Sequence, residues 1–290
     1  MRMDRKEFYR ELLEAYQKEL PDYIIQPYEG MRENIGRQKG IGIGKEGKED
    51  LLILYPDELY QEYMDGCDLA SIIQGSVFLI RAYLDHFHPM ADGGKHFEQF
   101  KESIIYRLMN YEKNQEMLKT MPHIRILDLA VVFCLVSHLD HDEMDLFLIT
   151  RENMDHWNVT QEQLEACARE NTRRMLPPVL QKAGSMVPQS QKNLDLYFIT
   201  NQSQSYGSAV MLYPGFLQSV AEELGDDLYI LPLSVHLCAV VPAGESTEKD
   251  LITAVRRLNE DQTLKREFYL SSNIYRYAKK EDEIYMVEGE

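Results

Sequence analysis

The sequence has few cysteines, and they lie far apart. Cys67, Cys134, Cys167 and Cys238 are the four, and no two of them form a C-x-x-C pair. This spacing fits neither a structural zinc site nor the dense disulfide framework of a small secreted domain. We therefore predict that each cysteine is a small, reduced residue of the core.

Positive charge is also scarce. Lysine and arginine total 31 against 48 for aspartate and glutamate, which gives a formal net charge of −17. The basic residues stand singly or in pairs such as Arg173-Arg174 and Arg256-Arg257. Because a chain of this charge repels phosphate backbones, we expect no nucleic-acid partner, and solubility is the simplest explanation of the acidic composition.

The sequence lacks an apolar run of membrane-helix length. The best candidate, residues 126–136, contains Asp128 and falls short of the ~20 apolar residues that such a helix needs. At the N-terminus an amphipathic pattern begins at Phe8, without the apolar stretch of a secretion signal before it. We expect a cytoplasmic protein that does not bind membranes.

The hydrophobic pattern changes repeatedly between helical and strand-like periods. It predicts helices near residues 5–19, 57–64, 69–84, 112–120, 161–175, 216–224 and 247–259, and strands near residues 41–43, 51–55, 103–109, 126–137, 144–150, 194–200, 208–212, 228–231, 235–241, 273–277 and 284–287. The most distinctive stretch is residues 212–242, in which Gly225 ends a helix and Pro232 separates two strands.

These elements predict an α+β fold with mixed or antiparallel sheets and flanking helices. The loop at residues 86–95 contains Pro89 and Gly93-Gly94, which makes it the best candidate for a boundary. We therefore predict two α/β subdomains, residues 1–95 and 96–290, with a single domain as the alternative. The chain is long enough to bury a sizeable core in either case.

Residues 42–49 match the phosphate-binding loop pattern G-x-x-x-x-G-K up to its last position. There Glu49 replaces the serine or threonine whose hydroxyl would bind magnesium. An apolar, strand-like run follows where a helix N-terminus is required, so we interpret the segment as a hairpin turn. No nucleotide or other cofactor is predicted.

Two stretches contain residue types that bind metals. One holds His86, His88, Asp92 and His96, and the other holds His138, Asp140, His141, Asp142 and Glu143. Alternate histidines on an extended chain point to one side, which would suit a metal. Histidines at a helix end or a hairpin tip are nevertheless common without any ligand, so we predict no metal site.

Ser234 and His236 are the best candidates for catalytic residues. Alternate residues of a strand share a face, so the predicted strand would place the hydroxyl, the imidazole and the thiol of Cys238 on one side. Asp226 or Asp227 could supply an acidic partner, and the polar loop with Asn201, Gln202, Ser203 and Ser205 could line a cleft. The sequence contains no G-x-S-x-G elbow, and such a serine and histidine are usually structural.

Residues 171–174 lie at the end of a helix that a Thr160–Gln163 capping box begins. Positive charge at Arg173 and Arg174 suits the helix dipole, and we favour this role over binding of a substrate anion.

Several motifs give the chain a family resemblance over nearly its whole length. They are Met121-Pro122-His123, residues 127–130 (LDLA), Gln163-Leu164, residues 170–174 (ENTRR), Pro177-Pro178, residues 212–214 (LYP), residues 228–236 (LYILPLSVH) and residues 270–275 (LSSNIY). Together they resemble an uncharacterised bacterial family known only as a domain of unknown function. A fainter similarity, confined to the second half, is to the YtpQ-like uncharacterised proteins. Neither resemblance implies an activity, and Leu237 stands where the family pattern leads us to expect an acidic residue.

Two functional hypotheses follow. The first is a soluble, cytoplasmic, non-enzymatic protein that binds or regulates another protein, with an immunity-type role as one form of this, because the chain is acidic and lacks a converging catalytic set. The alternative is a hydrolase-like enzyme with a site around Ser234 and His236, next to the polar loop at residues 201–205.

Overall fold

The computed structural model describes residues 2–45, 51–85, 97–139, 144–183, 196–245, 247–260 and 266–287. The chain divides into two compact units, Met1–Lys95 and His96–Glu290, which we call the N-terminal unit and the C-terminal unit. That these units are two separate subdomains and not parts of a single domain remains a prediction.

The N-terminal unit packs three helices against a small antiparallel sheet. Its elements are α1 (Arg5–Glu19), β1 (Ile24–Arg32), β2 (Gly36–Gly44), β3 (Leu52–Leu54), α2 (Pro56–Asp65) and α3 (Leu69–Asp85), with the strands in the order β1-β2-β3. The core is formed by one apolar face of α1, the alternate residues Ile41 and Ile43 of β2, and the inner face of α3. Within it the Tyr16 hydroxyl donates to Ser76 Oγ at 2.7 Å.

Capping residues and a proline begin the helices of this unit. Asp4 accepts a hydrogen bond from the backbone N–H of Glu7 at the start of α1, and Asp68 accepts one from Ser71 at the start of α3. Pro56 occupies the first turn of α2, where its missing N–H costs nothing. The predicted pairing of β2 with the run at residues 51–55 is also confirmed, because Ile41 to Ile43 pair with β3.

The C-terminal unit contains a four-stranded and a six-stranded antiparallel sheet. The elements up to the middle of the unit are α4 (Phe97–Phe100), β4 (Ile104–Asn110), α5 (Gln115–Leu118), β5 (His123–Ile126), β6 (Leu129–Leu139), β7 (Met144–Leu148), α6 (Arg151–Trp157) and α7 (Gln161–Met175). The strand order is β4-β6-β5, and β7 also pairs with β6. The buried strand β6 is therefore the centre of this sheet.

The six-stranded sheet is built from the rest of the chain. Its elements and the helices beside it are β8 (Pro178–Lys182), β9 (Tyr197–Asn201), α8 (Phe216–Leu224), β10 (Leu228–Ser234), β11 (Leu237–Pro242), α9 (Glu248–Glu260), β12 (Ile274–Ala278) and β13 (Glu283–Val287). The strand order is β13-β12-β10-β11-β9-β8. All strand pairs among the described residues are antiparallel, so the α+β prediction with antiparallel sheets is confirmed.

Three predicted boundaries in this unit are wrong. The strand predicted at residues 126–137 is broken by a turn at Leu127, whose φ is 57°, so residues 123–126 fold back onto β6 as β5. The strand predicted at residues 208–212 is a 3-10 helix, Gly207–Leu212, buried over almost its whole length. Pro232 does not separate two strands but lies within β10, beside a register shift that tolerates its missing N–H.

Candidate functional site

The two candidate catalytic residues lie at the turn that joins β10 to β11. Ser234 is the last residue of β10, and His236 lies in the turn before β11 begins at Leu237. The prediction that both occupy one face of a single strand is therefore wrong. The chain reverses at Val235 and His236, not at Pro232, so the side chains do not follow the alternation of a strand.

The backbone around His236 uses one nitrogen of its ring. The Tyr206 N–H donates to His236 Nδ1 at 3.0 Å, which places the proton of the neutral imidazole on Nε2. The N–H of His236 donates to Ser234 Oγ at 3.1 Å, and Thr200 Oγ1 donates to the His236 carbonyl at 2.8 Å. A general base for Ser234 needs a ring nitrogen with a free lone pair. The observed bonds instead use the serine and the imidazole to hold the turn.

Neither predicted acidic partner reaches this turn. Asp226 and Asp227 precede β10, whose seven residues separate them from Ser234 by about 20 Å. Asp227 accepts hydrogen bonds from the Lys279 N–H at 3.1 Å and from Arg276 Nη2 at 2.9 Å. These two bonds, the backbone one first, lower the pKa of the Asp227 carboxyl. An acidic partner is thus not brought to Ser234 and His236, and both aspartates form their hydrogen bonds at the opposite end of β10.

Cys238 is not a nucleophile in this structure. Its side chain is fully buried in β11, and burial raises the pKa of the thiol to about 12. Because the thiolate is the reactive form, the pairing of Cys238 with His236 is wrong as a catalytic hypothesis. Cys134 is also buried, whereas Cys67 lies exposed between α2 and α3, so the core prediction is wrong for Cys67.

The burial of the thiols predicts their order of reaction. With an excess of an aromatic disulfide reagent, we expect one fast phase from Cys67, a slower one from the half-buried Cys167, and reaction of Cys134 and Cys238 only after unfolding. Absorbance of the released thiolate follows each phase. Cys67→Ser should remove the fast phase alone, and a fast phase that persists in this variant would contradict the assignment.

The predicted polar loop does lie beside the His236 turn, but most of its side chains bond within the loop. Asn201 is fully buried, and its Nδ2 donates to the Ser205 carbonyl at 2.8 Å. Ser203 Oγ donates to Asn201 Oδ1 at 2.9 Å, and Gln202 is exposed. Turn formation accounts for these contacts.

A buried arginine beside this loop was missed from the sequence. Arg107 lies in β4, is 3% exposed, and places its guanidinium carbon 4.7 Å from the centre of the Tyr206 ring. The Tyr206 ring lies 5.3 Å from the His236 ring, which is 4.6 Å from that of Phe268. The only sequence signal was a charged residue in the mostly apolar strand Ile104–Asn110.

Most of the residues in the two stretches with metal-binding residue types lie outside the described residues. This holds for His86, His88, Asp92 and His96, and for Asp140, His141, Asp142 and Glu143. His138 is in β6, opposite Asp145 of β7. Within the part of the chain that the structure describes, no group of three or more His, Cys, Asp or Glu side chains could hold a metal ion.

The phosphate-loop pattern falls on the N-terminal sheet. Gly42 pairs with Gln26 of β1 and with Ile53 of β3, and a strand, not a helix, follows the turn. The hairpin interpretation of the flanking residues is thus confirmed, while residues 46–50 lie outside the described part. A phosphate-binding loop requires the helix that is missing after this turn.

Two of the family motifs meet in a polar network. Asp128 Oδ2 accepts hydrogen bonds from Ser271 Oγ at 2.6 Å and Asn273 Nδ2 at 3.0 Å, and Oδ1 accepts one from the Tyr275 hydroxyl at 2.7 Å. Ser271 and Tyr275 are fully buried. This network joins the β5–β6 turn to the segment before β12, so these motif residues act as structural anchors.

A third motif has the same role. Asn171 Nδ2 donates to the Ile104 carbonyl at 3.0 Å, and Thr172 Oγ1 accepts from the Tyr106 N–H at 2.9 Å. Both side chains are buried on α7 and fix the helix to β4. Arg173 and Arg174 of the same motif are exposed.

Comparison with known proteins gives one match. The model of a family of unknown function matches residues 5–279. No curated protein and no solved structure matches the chain. Among the helices of the described residues, none combines the length and the apolar character that crossing a membrane requires.

Proposed function

We propose, from the premise that the chain belongs to DUF5688, a family of unknown function, that this member acts by binding another protein through one face of α3 and not by catalysis. The observation that carries the proposal is the exposure of Phe78 and Leu79. They are 72% and 66% exposed, the highest values among the exposed large apolar side chains of the described residues.

Helix α3 has two large apolar side chains on its outer face in addition to its apolar inner face. Ile72, Val77 and Ile80 are buried against the rest of the N-terminal unit, while Phe78 and Leu79 face solvent. The segment from residue 69 to residue 80 contains no charged residue. Large apolar side chains on the outer face of a helix depart from the usual amphipathic pattern, in which that face is polar. Burying each of these two side chains in a complex would contribute about 1.5–3 kcal/mol.

Charge indicates the chemistry of the partner. The chain has a net charge of −17, and the exposed Asp65 and Asp68 lie directly before the apolar face. A partner with an amphipathic helix, apolar on one side and flanked by lysine or arginine, would match both the face and its acidic border. The acidic field would also speed its association. A regulatory or immunity-type role is consistent with such a partner.

The proposal includes a location in the cytoplasm. All four cysteines are free, and Cys67 is exposed, which suits the reducing cytoplasm. A bacterial source and common ancestry with the YtpQ-like proteins, both favoured by the sequence motifs, belong to the same proposal.

The test uses a fluorescent amphipathic helix of leucine and lysine as the probe. We expect saturable binding to the full chain by fluorescence anisotropy, and binding at least about tenfold weaker for Phe78→Ser/Leu79→Ser. The matched control is Tyr285→Ser/Met286→Ser, which removes two exposed apolar side chains from β13 and should bind like the wild type.

Three results would overturn the proposal. The first is that the two double variants bind the probe with equal affinity. The second is that a leucine–glutamate helix binds as tightly as the leucine–lysine helix. The third is a concentration-dependent dimer in sedimentation that Phe78→Ser/Leu79→Ser abolishes. The last result would show that a second copy of the chain covers the face.

A further inference from the structure

A groove on the exposed side of α7 gathers three arginines in an otherwise acidic chain. It has a volume of about 490 Å³ and is lined by Ala166, Arg169, Glu170, Arg173, Arg174 and Pro214. Sites for small molecules have volumes of roughly 300–1,000 Å³. We propose that this groove binds the phosphate group of a small phosphorylated molecule, with Arg173 as its main ligand.

Arg169 and Arg173 share a face of α7 because of their spacing, and Arg174 lines the groove from the adjacent position. Arg169 and Arg173 are one helical turn apart, and Arg174 follows directly. The groove faces solvent, so a ligand can enter without a conformational change. A cluster of three arginines on a chain of net charge −17 is a local feature that the overall composition does not predict.

Each of the three guanidinium groups donates some of its N–H groups to acceptors of the protein itself. Arg173 Nη1 donates to the Pro214 carbonyl at 3.2 Å, Arg174 Nη2 donates to the Glu102 carbonyl at 2.8 Å, and Arg169 Nη2 donates to Glu165 Oε1 at 2.8 Å. A guanidinium has five N–H donors, so each arginine keeps donors for a ligand. Because these contacts orient the side chains beforehand, less conformational entropy is lost when a ligand binds.

Arg173 differs from its two neighbours in its charge balance. Glu165 lies 2.8 Å from Arg169, and Glu102 Oε2 lies 3.6 Å from Arg174. In the part of the chain that the structure describes, no carboxylate lies within 4.0 Å of the Arg173 guanidinium nitrogens. A phosphate dianion would supply the missing charge and could accept two parallel hydrogen bonds.

Pro214, on the opposite side of the groove, is fixed through its neighbour Tyr213. Pro214 follows Tyr213, whose hydroxyl donates to the Leu176 carbonyl at 2.9 Å, just after the end of α7. Tyr213 is 3% exposed. Glu170 is the acidic member of the lining, and it could accept a hydrogen bond from a hydroxyl or amino group of the ligand. The class of ligand is therefore a phosphate monoester with such a group.

Calorimetric titration of the full chain tests the site, with inorganic phosphate and O-phosphoserine as probes at constant ionic strength. We expect saturable binding of both, tighter for phosphoserine. Arg173→Gln should weaken it by at least about tenfold, and Arg173→Lys, which keeps the charge but loses the planar fork, should weaken it less. The control is Arg257→Gln, which makes the same change in the last turn of α9 and should alter affinity less than about twofold.

Each contrary outcome would refute the site. These are no saturation by either probe up to about 10 mM, equal losses for Arg173→Gln and Arg257→Gln, and saturable binding of succinate in place of phosphate. Succinate binding would identify a carboxylate site. Thermal unfolding of Arg173→Gln without ligand should match the wild type, which separates loss of binding from loss of folding.

Discussion

Asp128→Ala is expected to lower the free energy of unfolding of the C-terminal unit by about 3–5 kcal/mol, because it removes one carboxylate that satisfies three side chains. Ser271, Asn273 and Tyr275 all donate to Asp128 at 2.6–3.0 Å. With alanine, the fully buried side chains of Ser271 and Tyr275 lose their hydrogen-bond acceptor. Each unsatisfied buried donor costs about 1–3 kcal/mol.

The single tryptophan allows this measurement on one unit. Trp157 is 8% exposed in α6, so urea unfolding followed by its fluorescence reports on the C-terminal unit. The control is Asp155→Ala in the same helix, an exposed aspartate whose loss should change the free energy by less than about 0.5 kcal/mol. Equal transition midpoints for the two variants would show that the network contributes nothing to stability.

The helices were the part of the fold that local sequence could predict. Their ends are marked by side chains that bond to the nearest backbone, as in the Thr160–Gln163 capping box of α7, where both expected bonds form. Gly225 ends α8 in the left-handed conformation, with a φ of 81°. Such signals involve residues a few positions apart, so they do not depend on the rest of the fold.

The errors share a different physical origin. The buried run of residues 208–211 shows no period, because it is covered on all sides, and a run of this kind does not distinguish a strand from a 3-10 helix. The turn at Leu127 lacks the usual glycine or asparagine, and the distant partners of Asp128 hold it in place. Strand β8 and helix α6 were not predicted at all.

The candidate site shows the same division between local and long-range information. The sequence correctly suggested that the polar loop at residues 201–205 lies near His236, but it could not show which backbone groups the imidazole would meet. Tyr206, with a φ of 51°, points its N–H at His236 Nδ1, and this contact selects the tautomer of the neutral ring. Arg107 reaches the same cluster from another sheet. Only the tertiary fold brings these three side chains together.

Gly207 makes this arrangement possible, because its backbone lies directly against the end of β9 and the His236 turn. A Cβ atom at position 207 would lie 2.5 Å from the His236 carbonyl oxygen and 2.8 Å from the Asn201 nitrogen, and it would also collide with Thr200 Oγ1. Two of these neighbours are backbone atoms of hydrogen-bonded segments, so they cannot move aside as the end of a flexible side chain can. The Gly207→Ala variant is therefore expected to lose about 3 kcal/mol of stability.

The control for Gly207→Ala is Gly244→Ala, where the nearest atom is the Asp226 carboxylate oxygen at 3.0 Å, at the end of a half-buried side chain and not in the backbone. We expect it to cost less than about 1 kcal/mol in the same tryptophan-monitored unfolding. A second measurement separates local from global effects, since ¹⁵N NMR of the imidazole distinguishes its tautomers. In the wild type, the neutral His236 ring should carry its proton on Nε2. In Gly207→Ala, the loss of the Tyr206 contact should allow both tautomers to be populated. An unchanged spectrum together with unchanged stability would mean that the close approach at Gly207 does not hold the turn.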